Sequence, residues 1–368
     1  MKNIFTKIGR DFQNNYQKLQ SKKNTSNCMF DGCMNKSINS HCFSESSMLR
    51  KIAVNSQLIT PNFKRDDEAT IREIVFEEVG IHDASIYKGF CLKHDALFNP
   101  IDKLGIKTLR DIFLQLYRSA CYICFVGNMF NACEVKTFGA HILHNPNYDD
   151  KKIISHLKMV ELFFDLLHNF EELDSPFVFP KNDSCSLKPF SDKVDLDMVV
   201  LTRRLNFSLP VAFQNNLTLN LDGAIFDLIF IIIPFEDTSL LIAASHESQI
   251  DIIHSRLRTD ISALNLIESM FMNDANFFLS PNLFNSWPEG RRKIIIDDYK
   301  YINERRMFEE YDISLFDEVR IDLINKSQCD VKKEYNKITH LPLRSDIKSR
   351  EENMNLYLLN HRDFRLSF

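Results

Sequence analysis

The sequence predicts an α+β chain: an N-terminal treble-clef zinc module, a helical middle, and a C-terminal antiparallel sheet with helices. Two pairs of soft donors near the N-terminus, long stretches of helical apolar spacing in the middle, and a later change to strand-like runs divided by turn signals point to it. The boundaries fall at residues 1–104, 105–175 and 190–368. A chain of 368 residues can bury a substantial core.

The donor pairs are Cys28/Cys33 and Cys91/His94. Thiolate and imidazole are the donors that tetrahedral Zn2+ takes. Cys28-Met-Phe-Asp-Gly-Cys33 is spaced like a zinc knuckle, and Gly32 can adopt the positive φ of a tight turn. Polar residues surround both cysteines, which separates them from cysteines that merely fill a core. Cys91 and His94 are placed to project from the first turn of a short helix, which Asn99-Pro100 is expected to end.

Before this module, residues 1–22 have an amphipathic, basic helical pattern, read as a helix packing on its own domain. Ser44 to Ala53 reads as a capped helix, and residues 54–88 as strands and a loop inserted between the two donor pairs. From Thr108 the spacing of Leu109, Ile112, Phe113, Leu116, Tyr117 and Ala120 predicts a core helix. Cys121 and Cys124 lie on it and are read as packing residues. Lys151–Leu173 predicts a second long helix, and residues 174–192, rich in Ser, Asp, Pro and Lys, a linking loop.

The pattern then changes to strands at Met198–Leu201, Leu217–Leu221, Ala224–Pro234 and Ser239–Ala244, with a hairpin signal at Asp222-Gly223. Phe226–Ile233 is apolar on both faces, which predicts a central, covered strand. Residues 247–274 and 305–325 return to helical spacing. Phe277–Pro281 ends one element, Trp287-Pro288 starts a turn, and the charged tail beyond Lys326 has no clear fold signal.

Forty-five basic residues against 50 acidic ones leave no global basic field, so any grip on nucleic acid must be local. Nine irregularly spaced cysteines do not read as a secreted disulfide framework. The N-terminus lacks the apolar stretch of a signal peptide, and Ala224–Phe235 is too short to span a bilayer. A cytoplasmic protein without membrane partners is expected. The chain has no Gly-rich phosphate loop, GxSxG elbow or HExxH, which argues against a nucleotide hydrolase, a serine hydrolase or a zincin-type protease.

Cys28-x4-Cys33, then Ser40-His41, then Cys91-x2-His94 resembles the frame of HNH-type (ββα-metal) nucleases. The region is also similar to uncharacterised bacterial proteins with a Ser-His stretch after a knuckle and a later box, matched here by Gly89, Phe90, Cys91, His94, Asp95, Leu97, Phe98, Pro100 and Ile101. The likeness covers about residues 25–102. It implies a structural Zn2+ on Cys28, Cys33, Cys91 and His94, and a second, catalytic ion such as Mg2+ beside the scissile phosphate. His41 would be the base that activates water, with Asp95 and Asn99, one turn apart, as candidates to hold the Mg2+.

On that resemblance the chain acts on DNA or RNA, as a nuclease in bacterial defence. Ser40 stands where the family has an acidic residue, and the motif's middle Asn has no clear counterpart, although Asn55 and Asn62 are available. His41 can equally be a zinc ligand or a buried structural histidine, and Asp95 a helix N-terminal charge. The alternative function is a non-catalytic zinc-binding module that recognises protein or nucleic acid, with the Phe-rich C-terminal region meeting a protein partner.

Overall fold

The computed structural model describes residues 14–15, 18, 26–64, 73–138, 159–165, 167, 184–187, 198–221, 224–273, 275–301, 310–326 and 329–360. The described residues combine helices with an eight-stranded sheet in which every pairing is antiparallel. Its strands are β2 (Gln57–Lys64), β3 (Glu73–Gly80), β5 (Ser184–Leu187), β6 (Met198–Arg204), β7 (Val211–Leu221), β8 (Ala224–Phe235), β9 (Thr238–His246) and β10 (Asn276–Leu279). They lie in the order β3-β2-β10-β7-β8-β9-β6-β5. A separate two-stranded ladder pairs β1 (Ser40–His41) with β4 (Ile86–Tyr87).

β8 is central and covered on both sides. Ile229, Ile231 and Ile233 join one core, while Leu228, Phe230 and Ile232 join the other. All six are buried, and full burial of each large apolar side chain contributes roughly 1.5–3 kcal/mol. The alternation divides the molecule into three layers. The N-terminal module and α3 (Leu109–Phe138) cover one face. The other face carries α4 (Glu247–Arg256), α5 (Asp260–Phe271), α6 (Pro281–Ser286), α7 (Glu289–Lys300) and α8 (Asp317–Lys326). Cys121 and Cys124 are buried on α3, as expected of packing residues.

The inserted hairpin β2–β3 runs in unbroken register from Gln57↔Gly80 to Lys64↔Glu73. It then joins the large sheet through Ile59↔Leu279, and Thr60 Oγ1 donates to the Phe277 carbonyl at 2.9 Å. The sheet therefore takes strands from both sides of the 105–175 region.

Several local expectations change. Within 174–192, Ser184–Leu187 forms edge strand β5, because its alternate residues can complete the open side of β6. Asn99-Pro100 opens a helix instead of ending one. α1 (Leu92–Asp95) passes through a 3-10 turn into α2 (Asn99–Leu104), where the proline lies in the first turn and its missing N–H costs nothing. Pro281 likewise starts α6, directly after β10, and Pro288 lies at the start of α7. Ser44–Ala53 contains only a 3-10 turn, Leu49–Lys51.

The tail beyond Lys326 forms α9 (Val331–Thr339) and α10 (Ile347–Asn360). Glu334, Lys337 and Arg350 of this tail are buried: Arg320 on α8, also buried, pairs with Glu268 of α5 and Glu334 of α9, and Asn265 Oδ1 accepts from Arg320 at 2.8 Å. Asp298, also buried, pairs with Arg344 at 2.7 Å and Arg350 at 3.0 Å. The residue 1–22 helix lies outside the described residues except for Asn14, Asn15 and Lys18, which are helical. Asp222-Gly223 also lies outside them, between the paired residues Leu221 and Ala224. Of Lys151–Leu173, residues 159–165 and 167 are described and helical.

Candidate metal centre

Cys28, Cys33, Cys91 and His94 come together although Cys91 follows Cys33 by 58 positions and His94 follows Cys28 by 66. Their donor atoms all lie within 4.8 Å of one another, close enough to hold a metal ion. Cys33 Sγ is 3.9 Å from Cys91 Sγ, and His94 Nδ1 is 3.4 Å from Cys28 Sγ and 3.5 Å from Cys91 Sγ.

The backbone sets this geometry. A bridge between Asn27 and Lys36 closes the base of the knuckle. The Cys28 N–H donates to Asn35 at 2.8 Å and the Cys33 N–H to Phe30 at 3.1 Å. Gly32 has φ +67, so the tip uses the left-handed region that glycine enters freely. Met29 N–H to the Gly89 carbonyl at 2.8 Å and Ile38 N–H to the Phe90 carbonyl at 2.7 Å dock the knuckle beside Cys91. Gly89 is required for another reason: a Cβ there would lie 2.5 Å from the buried Tyr87 ring.

Cys91 stands immediately before α1, and the His94 and Lys93 N–H groups hold its thiol below the usual cysteine range. Burial pushes Cys28 up to about 11. Burial, aided by Lys93, lowers the His94 pKa and favours the neutral imidazole that can ligate. Phe30 stacks on the His94 ring at 3.8 Å between centroids, tilted by 15°, and so orients it.

His41 ends β1 and is not one of the four donors. Its ring is half-buried, with Nδ1 2.9 Å from the Ala84 carbonyl oxygen. A carbonyl only accepts, so Nδ1 carries a proton, and in the neutral ring the lone pair is then on Nε2. Nearby, Glu45 binds His82 at 2.7 Å and Arg50 at 2.9 Å, and these partners outweigh its burial and hold its carboxyl below the usual range. Asp95 closes α1 and the exposed Asn99 opens α2. Among the described residues, the one convergent group of three or more His, Cys, Asp or Glu donors is the Cys3His cluster.

Residues outside the motif fix the strand that carries His41. Gln115 on α3 donates to the Cys42 carbonyl at 3.0 Å, and Asn276 on β10 contacts Cys42 Sγ at 3.7 Å. Arg118, 2% exposed, forms a bidentate pair with Asp102 at 2.9 and 3.0 Å and lies 4.2 Å above Phe98, locking α2 to α3. None of these has a sequence signature of its own, since each acts across elements distant in the chain. Compared with known proteins, the chain matches no family model, no curated protein and no solved structure.

Proposed function

We propose that Zn2+ fills the Cys3His cluster and is structural, and that the module it holds is a treble clef acting on nucleic acid. Zinc bonds of about 2.3 Å to sulfur and 2.0–2.1 Å to nitrogen set tetrahedral donor separations near 3.8 Å between sulfurs and 3.5 Å between sulfur and nitrogen. The separations of 3.9, 3.4 and 3.5 Å fit that figure. Three thiolates favour zinc over hard cations, and four protein donors close its coordination shell. A closed site stabilises the fold and leaves reaction chemistry to other residues.

The observation that carries the catalytic reading is His41. It stands at the end of β1, β4 pairs with β1, and α1 follows in the chain, with the ring held as the Nδ1–H tautomer. Nε2 is then the atom that takes a proton from water as it attacks a phosphodiester. A Mg2+ ion would neutralise charge on the scissile phosphate. Asp95 and Asn99 offer oxygen donors, but no convergent group of acidic or imidazole donors joins them among the described residues, so no step is assigned to them.

A different observation favours a second reading, a non-catalytic zinc module that recognises nucleic acid or protein: among the described residues no convergent group of acidic or imidazole donors stands beside His41. The test is His41→Ala, assayed for Mg2+-dependent cleavage of DNA and RNA and for zinc content. Loss of cleavage with zinc retained is expected. Cleavage equal to that of the unaltered protein, or zinc lost with His41, overturns its role as base. An unaltered protein that binds zinc and cleaves neither substrate leaves the recognition reading.

A further inference from the structure

We infer that Ser85 is a positioning residue for His41: its left-handed turn and its hydroxyl together hold the imidazole as the Nδ1–H tautomer. This rests on the reading of His41 as base. Ser85 has φ +60, a region that residues with a side chain rarely enter. It is 7% exposed, so the surroundings, and not solvent, set that conformation. Backbone held this way clusters at working sites, where the structure around it fixes what the isolated chain would avoid.

The hydrogen bonds show what the turn achieves. The Ser85 carbonyl accepts the Cys42 N–H at 2.9 Å. Its Oγ donates to the Phe43 carbonyl at 3.1 Å, accepts from the Phe43 N–H at 3.4 Å, and lies 3.3 Å from His41 Nδ1. With the Ala84 carbonyl requiring a proton on Nδ1, the Ser85 oxygen accepts from His41 while its own proton is free to go to the Phe43 carbonyl. The Nδ1–H is thus shared between Oγ and the Ala84 carbonyl at 2.9 Å. Ser85 engages backbone groups of Cys42 and Phe43 and the ring of His41 at once.

A merely structural left-handed turn would be served as well by glycine, which has no steric penalty there. Glycine would leave the backbone grip on Cys42 and remove the second acceptor from Nδ1. The Nδ1–H form is the minor tautomer of a free imidazole, so with the Ala84 carbonyl as its one remaining acceptor the ring populates Nε2–H more often and offers the lone pair at the reacting position less.

The test is the 15N NMR spectrum of His41, assigned by comparison with His41→Ala, in the full chain and in Ser85→Gly and Ser85→Ala. The unaltered protein should show Nδ1 protonated and Nε2 bare. Both variants should shift towards Nε2–H, and Ser85→Gly should keep its metal content. If cleavage is present, kcat should fall at least tenfold in Ser85→Gly with KM unchanged. An unaltered protein in the Nε2–H form, or a Ser85→Gly variant with an unmoved tautomer, overturns the role of Ser85. Failure of the unaltered protein to cleave removes the catalytic reading of His41 and leaves the tautomer result to judge Ser85 by itself.

Discussion

Removing the metal should melt the module and spare the hairpin inserted into it. The perturbation is Cys91→Ala, or exhaustive chelation of the unaltered chain. Cys33 and Cys91 are 58 residues apart in sequence. If a metal link restrains the unfolded chain as a covalent one does, closing a loop of that length is worth about 4 kcal/mol. Metal–ligand bonding adds to this, since structural zinc in small domains supplies about 10–16 kcal/mol of apparent binding energy near neutral pH. The loss should therefore be at least about 4 kcal/mol in chemical denaturation. Amide exchange tells where it falls. Residues 26–52 and 84–104 should lose protection, whereas β2 and β3, tied to β10 through Ile59↔Leu279, should keep theirs. An unchanged denaturation midpoint after verified metal removal would refute the structural role. Protection lost equally in β2 and β3 would refute the division of labour between metal and sheet.

Two other perturbations probe the cores. Arg320→Met leaves the buried Glu268 and Glu334 carboxylates without their shared guanidinium, and should cost about 3–5 kcal/mol at pH 7. Burial already holds the Glu268 pKa above the usual carboxylate range. The folded state thus binds the extra proton, and the variant's deficit should shrink as pH falls from 7 towards 5. Denaturation at both pH values checks the sign, and a deficit that grows on acidification refutes the assignment. Gly89→Ala drives a Cβ to within 2.5 Å of the Tyr87 ring, and overpacking of this kind costs about 1–3 kcal/mol. Because the Gly89 carbonyl also holds the knuckle, the variant should release metal to a chelator faster than the unaltered protein, and an equal release rate would refute that coupling.

The four candidate ligands were legible because each pair is local: a knuckle turn and one turn of helix carry their spacing on the surface of the sequence. β8 was legible for a similar reason, since apolar residues on both faces of one strand need covering on both. What escaped was pairing at a distance. β10 is four residues long, too short to display a period, and its bond to Thr60 spans 217 residues. The tail gave no clear fold signal because its many charges hide the apolar period that marks a packed helix. Here Arg320, Glu268 and Glu334 satisfy one another inside, and Asp330 caps α9 by accepting from the Lys333 N–H at 3.0 Å. Ser85 left no trace either, since a serine in a left-handed turn is spelled like any other serine.

The placement of the inserted hairpin changes how the metal centre relates to the rest of the chain. The donor pairs lie on either side of β2 and β3, and those strands complete the large sheet. Severing the chain after residue 104 would strip β2 of its partner β10 and expose Leu58, Ile59 and Phe76, all buried in the full chain. The strand end that carries His41 has the same dependence, because Cys42 is held by Gln115 of α3 and Asn276 of β10. A small module that folded alone would have to fix this histidine with its own residues. In this chain the fixing is shared among the turn at Ser85, the long helix and the sheet, so the position of the His41 ring depends on residues far outside the Cys3His cluster.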